Sequence, residues 1–254
     1  MKPFFTVITL FLPTLCHGMP TETAKAGSPK PEPKRVLFIG NSYTAQTKGT
    51  LLQLLADSPH NGSNFEFITK GGAKLAQHLA NEATVGKIKD GNWNFVVLQE
   101  QSQTPALPGK HGESFKQSVD KFSKLIREAE AEPILFMTWG RRDGDKQNIS
   151  LFPDFGTMQT KLTTAYQEAA GRNHLIVAPV GLAWAAARQK APSLGKELYR
   201  NDGSHPSAKG AILATIVLLG VIFQDTIELT NPPEGISPQE FAIIKQASSS
   251  AIRN

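Results

Sequence analysis

Five short, nearly uninterrupted apolar runs constrain this chain more than any other feature: residues 35–39 (RVLFI), 65–69 (FEFIT), 94–98 (NFVVL), 133–138 (PILFMT) and 174–178 (HLIVA). A strand with one wet face alternates apolar and polar residues. A strand covered on both faces does not, so runs of this kind point to a parallel sheet held between two layers. The stretches between the runs read as helices over 46–57, 73–82, 115–130 and 156–171, followed by two more over 206–223 and 238–251. Strand–helix alternation with right-handed crossovers gives an α/β fold, a three-layer α/β/α domain. In such sheets sites form beyond the carboxyl ends of the strands.

The chain has 254 residues, and one domain over 35–254 accounts for its globular part. A domain of that size buries a sufficient core without covalent staples. Residues 1–18 read as an export signal: Lys2 supplies a positive start, 3–15 are apolar, and Cys16-His17-Gly18 offers small residues around a cut after Gly18. The apolar run is too short to span a bilayer and Pro13 interrupts it. The expectation is therefore an exported protein, periplasmic or extracellular, with no stable membrane insertion once the signal is removed. An uncut anchor and lipid attachment at Cys16 are the alternatives. Residues 19–34 (MPTETAKAGSPKPEPK) hold four prolines and few apolar groups, and read as a spacer. Cys16 is the only cysteine, so a chain cut after Gly18 has no disulfide, thiol nucleophile or zinc–thiolate site. Of the net charge of +5, two units come from outside the domain, where Lys2, Lys25, Lys30 and Lys34 outnumber Glu22 and Glu32, leaving +3 for residues 35–254. No long basic run interleaves with aromatics, which argues against nucleic acid as a partner.

The first run ends in Gly40-Asn41-Ser42-Tyr43-Thr44. Gly40 permits a tight turn, and Ser42 then stands near the start of a helix, where backbone amides and dipole favour negative charge. That placement suits a nucleophile or an anion, although Ser42 or Thr44 acting only as a helix cap fits the segment equally. The second run ends in Lys70-Gly71-Gly72-Ala73, where paired glycines either expose backbone N–H groups to a substrate or simply turn the chain. The third ends in the polar cluster Gln99-Glu100-Gln101-Ser102-Gln103, a pocket or a solvated loop. The fourth ends in Trp139-Gly140-Arg141, a place for a ring to stack on a sugar or a guanidinium to meet a carboxylate, or else a surface loop with one packed Trp. The sharpest signal is Asp202-Gly203-Ser204-His205-Pro206. Asp and His three residues apart in a glycine-containing loop can meet locally, so that the carboxylate fixes the imidazole tautomer while the other ring nitrogen faces a serine. Pro206 suits the first turn of the helix that follows.

These residues resemble the SGNH/GDSL hydrolase superfamily. The family's Gly-Asp-Ser block appears as Gly40-Asn41-Ser42, its second-block glycine matches Gly72 or Gly71, and its Asp-x-x-His block matches Asp202 and His205 with the usual Pro206. The resemblance spans most of 35–225 and implies a flavodoxin-like sheet in the order 2-1-3-4-5. It also implies ester hydrolysis without a metal or organic cofactor. The third block departs from the family's Gly-x-Asn-Asp: the stretch here is Leu98-Gln99-Glu100-Gln101-Ser102. Gln101, or alternatively Gln99, would then replace the asparagine in the oxyanion hole. An α/β-hydrolase fits less well, since Thr44 stands where Gly-x-Ser-x-Gly requires glycine, and no His-Glu-x-x-His metal motif is present.

The sequence thus points to an exported serine esterase acting on an O-acyl group, with acetyl on a carbohydrate as the expected substrate. Ser42, His205 and Asp202 are the expected triad. Backbone amides of Ser42 and Gly72 with the Gln101 side chain are the expected oxyanion hole, and Asn41, Glu100, Trp139 and Arg141 are the expected substrate lining. A lipase or lysophospholipase-type esterase, and a non-catalytic glycan- or anion-binding module, are the competing readings. Oligomeric state and the physiological ester are not encoded in any motif.

Overall fold

A computed structural model describes residues 31–225 and 231–253. The expected signal peptide and residues 19–30 of the expected spacer lie outside the described residues. The chain runs β1 (Arg35–Gly40), α1 (Ser42–Ala56), β2 (Asn64–Thr69), α2 (Leu75–Leu79), α3 (Glu82–Asp90), β3 (Phe95–Leu98), α4 (Lys110–Glu128), β4 (Glu132–Phe136), α5 (Phe155–Asn173), β5 (Ile176–Ala178), α6 (Val180–Lys190), α7 (Pro192–Glu197), α8 (Ala208–Phe223) and α9 (Pro238–Arg253). All five strands are parallel, in the order β2-β1-β3-β4-β5.

The strand runs are apolar throughout because successive side chains enter two different cores. Val36, Phe38, Val97, Ile134 and Phe136 pack with α1, α6, α8 and α9. Leu37, Ile39, Val96, Leu98 and Leu135 pack with α2 to α5 on the other face. Burying one such side chain contributes about 1.5–3 kcal/mol, so the alternation stabilises both layers at once. The helix α8 (AKGAILATIVLLGVIF) is apolar on every side and accordingly lies between α1, α6 and α9.

Several boundaries differ from the sequence reading. The helix expected at 46–57 begins at Ser42, because the Asn41 side chain accepts from Tyr43 N–H and caps it. The segment expected as one helix over 73–82 is two, since Asn81 caps a new helix by accepting from Thr84 N–H. Helices α6 and α7 were not expected; α6 is alanine-rich, lacks a polar stripe and shows little helical period. Pro206 is not in the first turn of α8: it bridges to Tyr199, and Ser207 is the cap, accepting from Gly210 N–H.

Candidate active site

Ser42 is the first residue of α1, directly beyond the carboxyl end of β1. Its N–H therefore belongs to the helix turn that has no intrahelical acceptor. The turn that delivers it is locked from below by Gln99. The Gln99 side-chain oxygen accepts from Asn41 N–H at 2.9 Å and from Thr44 Oγ1 at 2.9 Å, and its amide nitrogen donates to the Glu100 carbonyl. A Cβ on residue 40 would lie 2.6 Å from that same oxygen and closer still to Thr44 Oγ1, which is why glycine occupies the position. His78, buried on α2, donates from Nε2 to the Gly40 carbonyl at 2.9 Å. Burial first, then nearby Lys70, pushes the His78 pKa down against that hydrogen bond, which keeps the ring neutral.

Asp202 and His205 come from the turn between α7 and α8. Gly203 there has φ of +68°, a left-handed conformation that favours glycine. One Asp202 carboxylate oxygen accepts from Ser204 N–H at 2.8 Å and His205 N–H at 2.9 Å; the other lies 2.6 Å from His205 Nδ1. Partial burial works to raise the Asp202 pKa, but these amide and imidazole hydrogen bonds outweigh it and hold the carboxyl below the ordinary range. The ionised carboxylate only accepts, so Nδ1 carries the proton it receives. In a neutral ring Nε2 is then the acceptor, and it faces Ser42 Oγ at 2.8 Å. The structure thus brings together three side chains from opposite ends of the domain in a Ser–His–Asp relay.

Gly72 lies in an exposed turn with φ of +67°. Asn41 Nδ2 donates to the neighbouring Ala73 carbonyl at 3.0 Å and so ties this turn to the start of α1. Gly71 shares the turn, and a Cβ at either glycine would meet open space, so the demand at Gly72 is conformational rather than steric.

The expected substrate lining is largely corrected. Asn41 is buried and is a cap and a tie, not a wall of the site. Glu100 is buried, its carboxylate accepting from Gln101 N–H at 2.6 Å and Leu75 N–H at 3.2 Å; burial pushes its pKa up to about 7. Trp139 is wholly buried, stacked between Tyr43 and Trp184 with centroids at 4.7 Å and 4.0 Å, and has no free face for a sugar. Arg141 is held by the buried Asp145 at 2.6 Å and the Gln103 side-chain oxygen at 2.8 Å, joining two loops, and it does line a hollow beside Asp202. Gln99 is buried, its oxygen accepting from Asn41 and Thr44 and its amide nitrogen donating to the Glu100 carbonyl, so it braces the Ser42 turn. Gln101 is half-buried, donates to Gln103 at 3.2 Å and accepts from Thr104 at 2.8 Å, leaving one amide hydrogen outside those bonds.

Two residues in direct contact with the relay were missed by the sequence reading, Tyr43 and Ser204. Both stand inside the quoted motifs, but their hydrogen bond spans 161 residues and has no local signal. Beside Asp202 lies a polar hollow of about 300 Å³ whose lining includes Arg142, Asp143, Asn201 and Gly203. Among the described residues no cluster of three or more His, Cys, Asp or Glu is placed to hold a metal, and no helix is long and apolar enough to cross a membrane.

No protein-family model and no curated protein matches the sequence. Solved structures do. A protein assigned as an SGNH hydrolase, from Slackia heliotrinireducens, is 29% identical over 75% of this chain and all of its own, with a TM-score of 0.63. A DUF4886 family protein from Bacteroides uniformis is 20% identical over 87% of this chain and 95% of its own, with a TM-score of 0.72. The acetyl xylan esterase AlAXEase is 17% identical over 74% of this chain and 99% of its own, with a TM-score of 0.58.

Proposed function

We propose that this chain, an SGNH/GDSL-type ester hydrolase by fold, uses Ser42 as nucleophile, His205 as base and acid, and Asp202 as the group that orients the imidazole. The observation that carries the reading is the relay itself, 2.8 Å from Ser42 Oγ to His205 Nε2 and 2.6 Å from Nδ1 to Asp202. Ser42 attacks the acyl carbonyl as its proton passes to Nε2. The same proton then goes to the departing alcohol, and water hydrolyses the acyl-enzyme by the reverse path. The N–H groups of Ser42 and Gly72 and the remaining Gln101 amide hydrogen hold the developing oxyanion.

The ester is an O-acetyl group on a carbohydrate. The acetyl xylan esterase among the structural neighbours and the polar hollow beside Asp202 support a short acyl group on a hydroxyl-rich alcohol. Residues 1–18 act as an export signal, as their charge and apolar run suggest.

Ser42→Ala, assayed on an ester panel, tests both levels. Loss of a triad nucleophile costs on the order of 10⁶ in turnover, so hydrolysis should vanish in a variant that still folds. In the native protein acetyl esters and acetylated sugars should outrun long-chain nitrophenyl esters. Undiminished turnover by folded Ser42→Ala removes the relay. A preference for long chains instead makes the protein a lipase-type esterase.

A further inference from the structure

Tyr43 follows the nucleophile in sequence, yet it points away from the reaction and into the domain. It is buried, its ring stacked on Trp139 at an interplanar angle of 4°. Its hydroxyl shares a 2.6 Å hydrogen bond with the hydroxyl of Ser204, the residue between Gly203 and His205. The ring also meets the His205 imidazole edge-on, centroids 5.3 Å apart at 76°. Ser204 is held at two further points: Trp139 Nε1 donates to its carbonyl at 2.9 Å, and its own N–H donates to Asp202 at 2.8 Å.

These contacts have a common consequence. The turn carrying Asp202 and His205 is partly exposed, with the Asp202 and His205 side chains 48% and 29% accessible. Left to itself, a surface turn explores several positions. The base must nevertheless sit within hydrogen-bond reach of a serine on a different element. We infer that Tyr43 is the positioning residue that sets this distance: it couples the helix carrying Ser42 to the turn carrying His205 through Ser204, with Trp139 as a rigid backing. Placing nucleophile and clamp on adjacent residues makes a shift of α1 carry both together, so the serine–imidazole distance is preserved when the helix moves. The inference rests on the assignment of Ser42 and His205 above.

Tyr43→Phe deletes one oxygen and keeps the stack. Misplacement of a catalytic group by about 1 Å can cost about 10²-fold. On a soluble acetyl ester, kcat should fall roughly 10- to 100-fold with KM within about twofold. Ser204→Ala should fall similarly, and Ser204→Thr, which retains a hydroxyl, should recover most of the loss. Because both variants remove the same bond, the Tyr43→Phe/Ser204→Ala double variant should be no slower than the slower single, where independent effects would multiply. Thermal unfolding of each variant checks that the folded state is the one assayed. The inference is overturned by a folded Tyr43→Phe protein with native kcat, by a loss lying in KM alone, or by losses that multiply in the double variant. Ser42→Ala, run alongside, separates the two levels. If it abolishes hydrolysis while Tyr43→Phe does not slow it, the positioning role fails and the nucleophile stands. If it leaves hydrolysis intact, the underlying assignment fails.

Discussion

At the scale of single residues, the site separates groups that face the reaction from groups that hold them, and the second set is the larger. Gln99, Asn41 and His78 hold the Ser42 turn, Glu100 accepts from the start of α2, and all four are buried. Glu100 is the most costly of them. Burial raises its pKa to about 7 from an ordinary value of 4.5. Below about pH 4.5 the group is protonated whether the chain is folded or not, and contributes no pH dependence. Between pH 4.5 and 7 the unfolded chain ionises and the folded one does not, so stability falls as pH rises. The deficit levels off above pH 7 at roughly 3 kcal/mol, since each tenfold change in proton affinity is worth about 1.4 kcal/mol. Glu100→Gln has no such titration. Measured by urea unfolding, native stability should decline relative to this variant from pH 5 to 7.5; parallel curves would show that Glu100 is not ionising in a buried site.

At the scale of elements, the tips of three strands and the α7–α8 turn form the site, and the turn after β2 is the least protected part. A Cβ at residue 72 meets open space, so Gly72→Ala isolates the cost of a left-handed backbone, about 1–2 kcal/mol. The unfolding midpoint should drop accordingly, and kcat with it if the Gly72 N–H serves the oxyanion as proposed. Unchanged stability would mean that the positive φ is not required. The strands, their order and the relay were all legible in the sequence, because two-sided burial writes an apolar run and local turns write Gly40, Gly203 and the Asp-x-x-His spacing. The lining was not. Trp139 and Arg141 sit where a site residue would sit, but whether a side chain at a strand tip turns out to solvent or in to the core is settled by partners distant in sequence. Trp184 closes over Trp139, and Gln103 on another loop engages Arg141. Helix α6 was missed for a related reason: alanines occupy both its buried and its part-buried faces, so it has no polar stripe to betray its period.

At the scale of the whole molecule, two cores clamp one sheet, and nothing in the domain over 35–254 depends on cysteine. If residues 1–18 are removed on export, the mature protein begins at Met19 and contains no thiol. N-terminal sequencing of exported protein should return Met19, and its melting temperature should be indifferent to reductant; retention of Lys2 in the exported form would make the segment an anchor. The hydrogen bond between Ser42 and His205 joins residues 163 apart, one just beyond the first strand and the other after the last. Contacts of such long range are the slow ones to form, because most of the intervening chain must already be ordered before its ends are worth joining. Regained hydrolysis in a refolding chain should therefore lag behind burial of the two cores, reporting the closing step of folding rather than collapse.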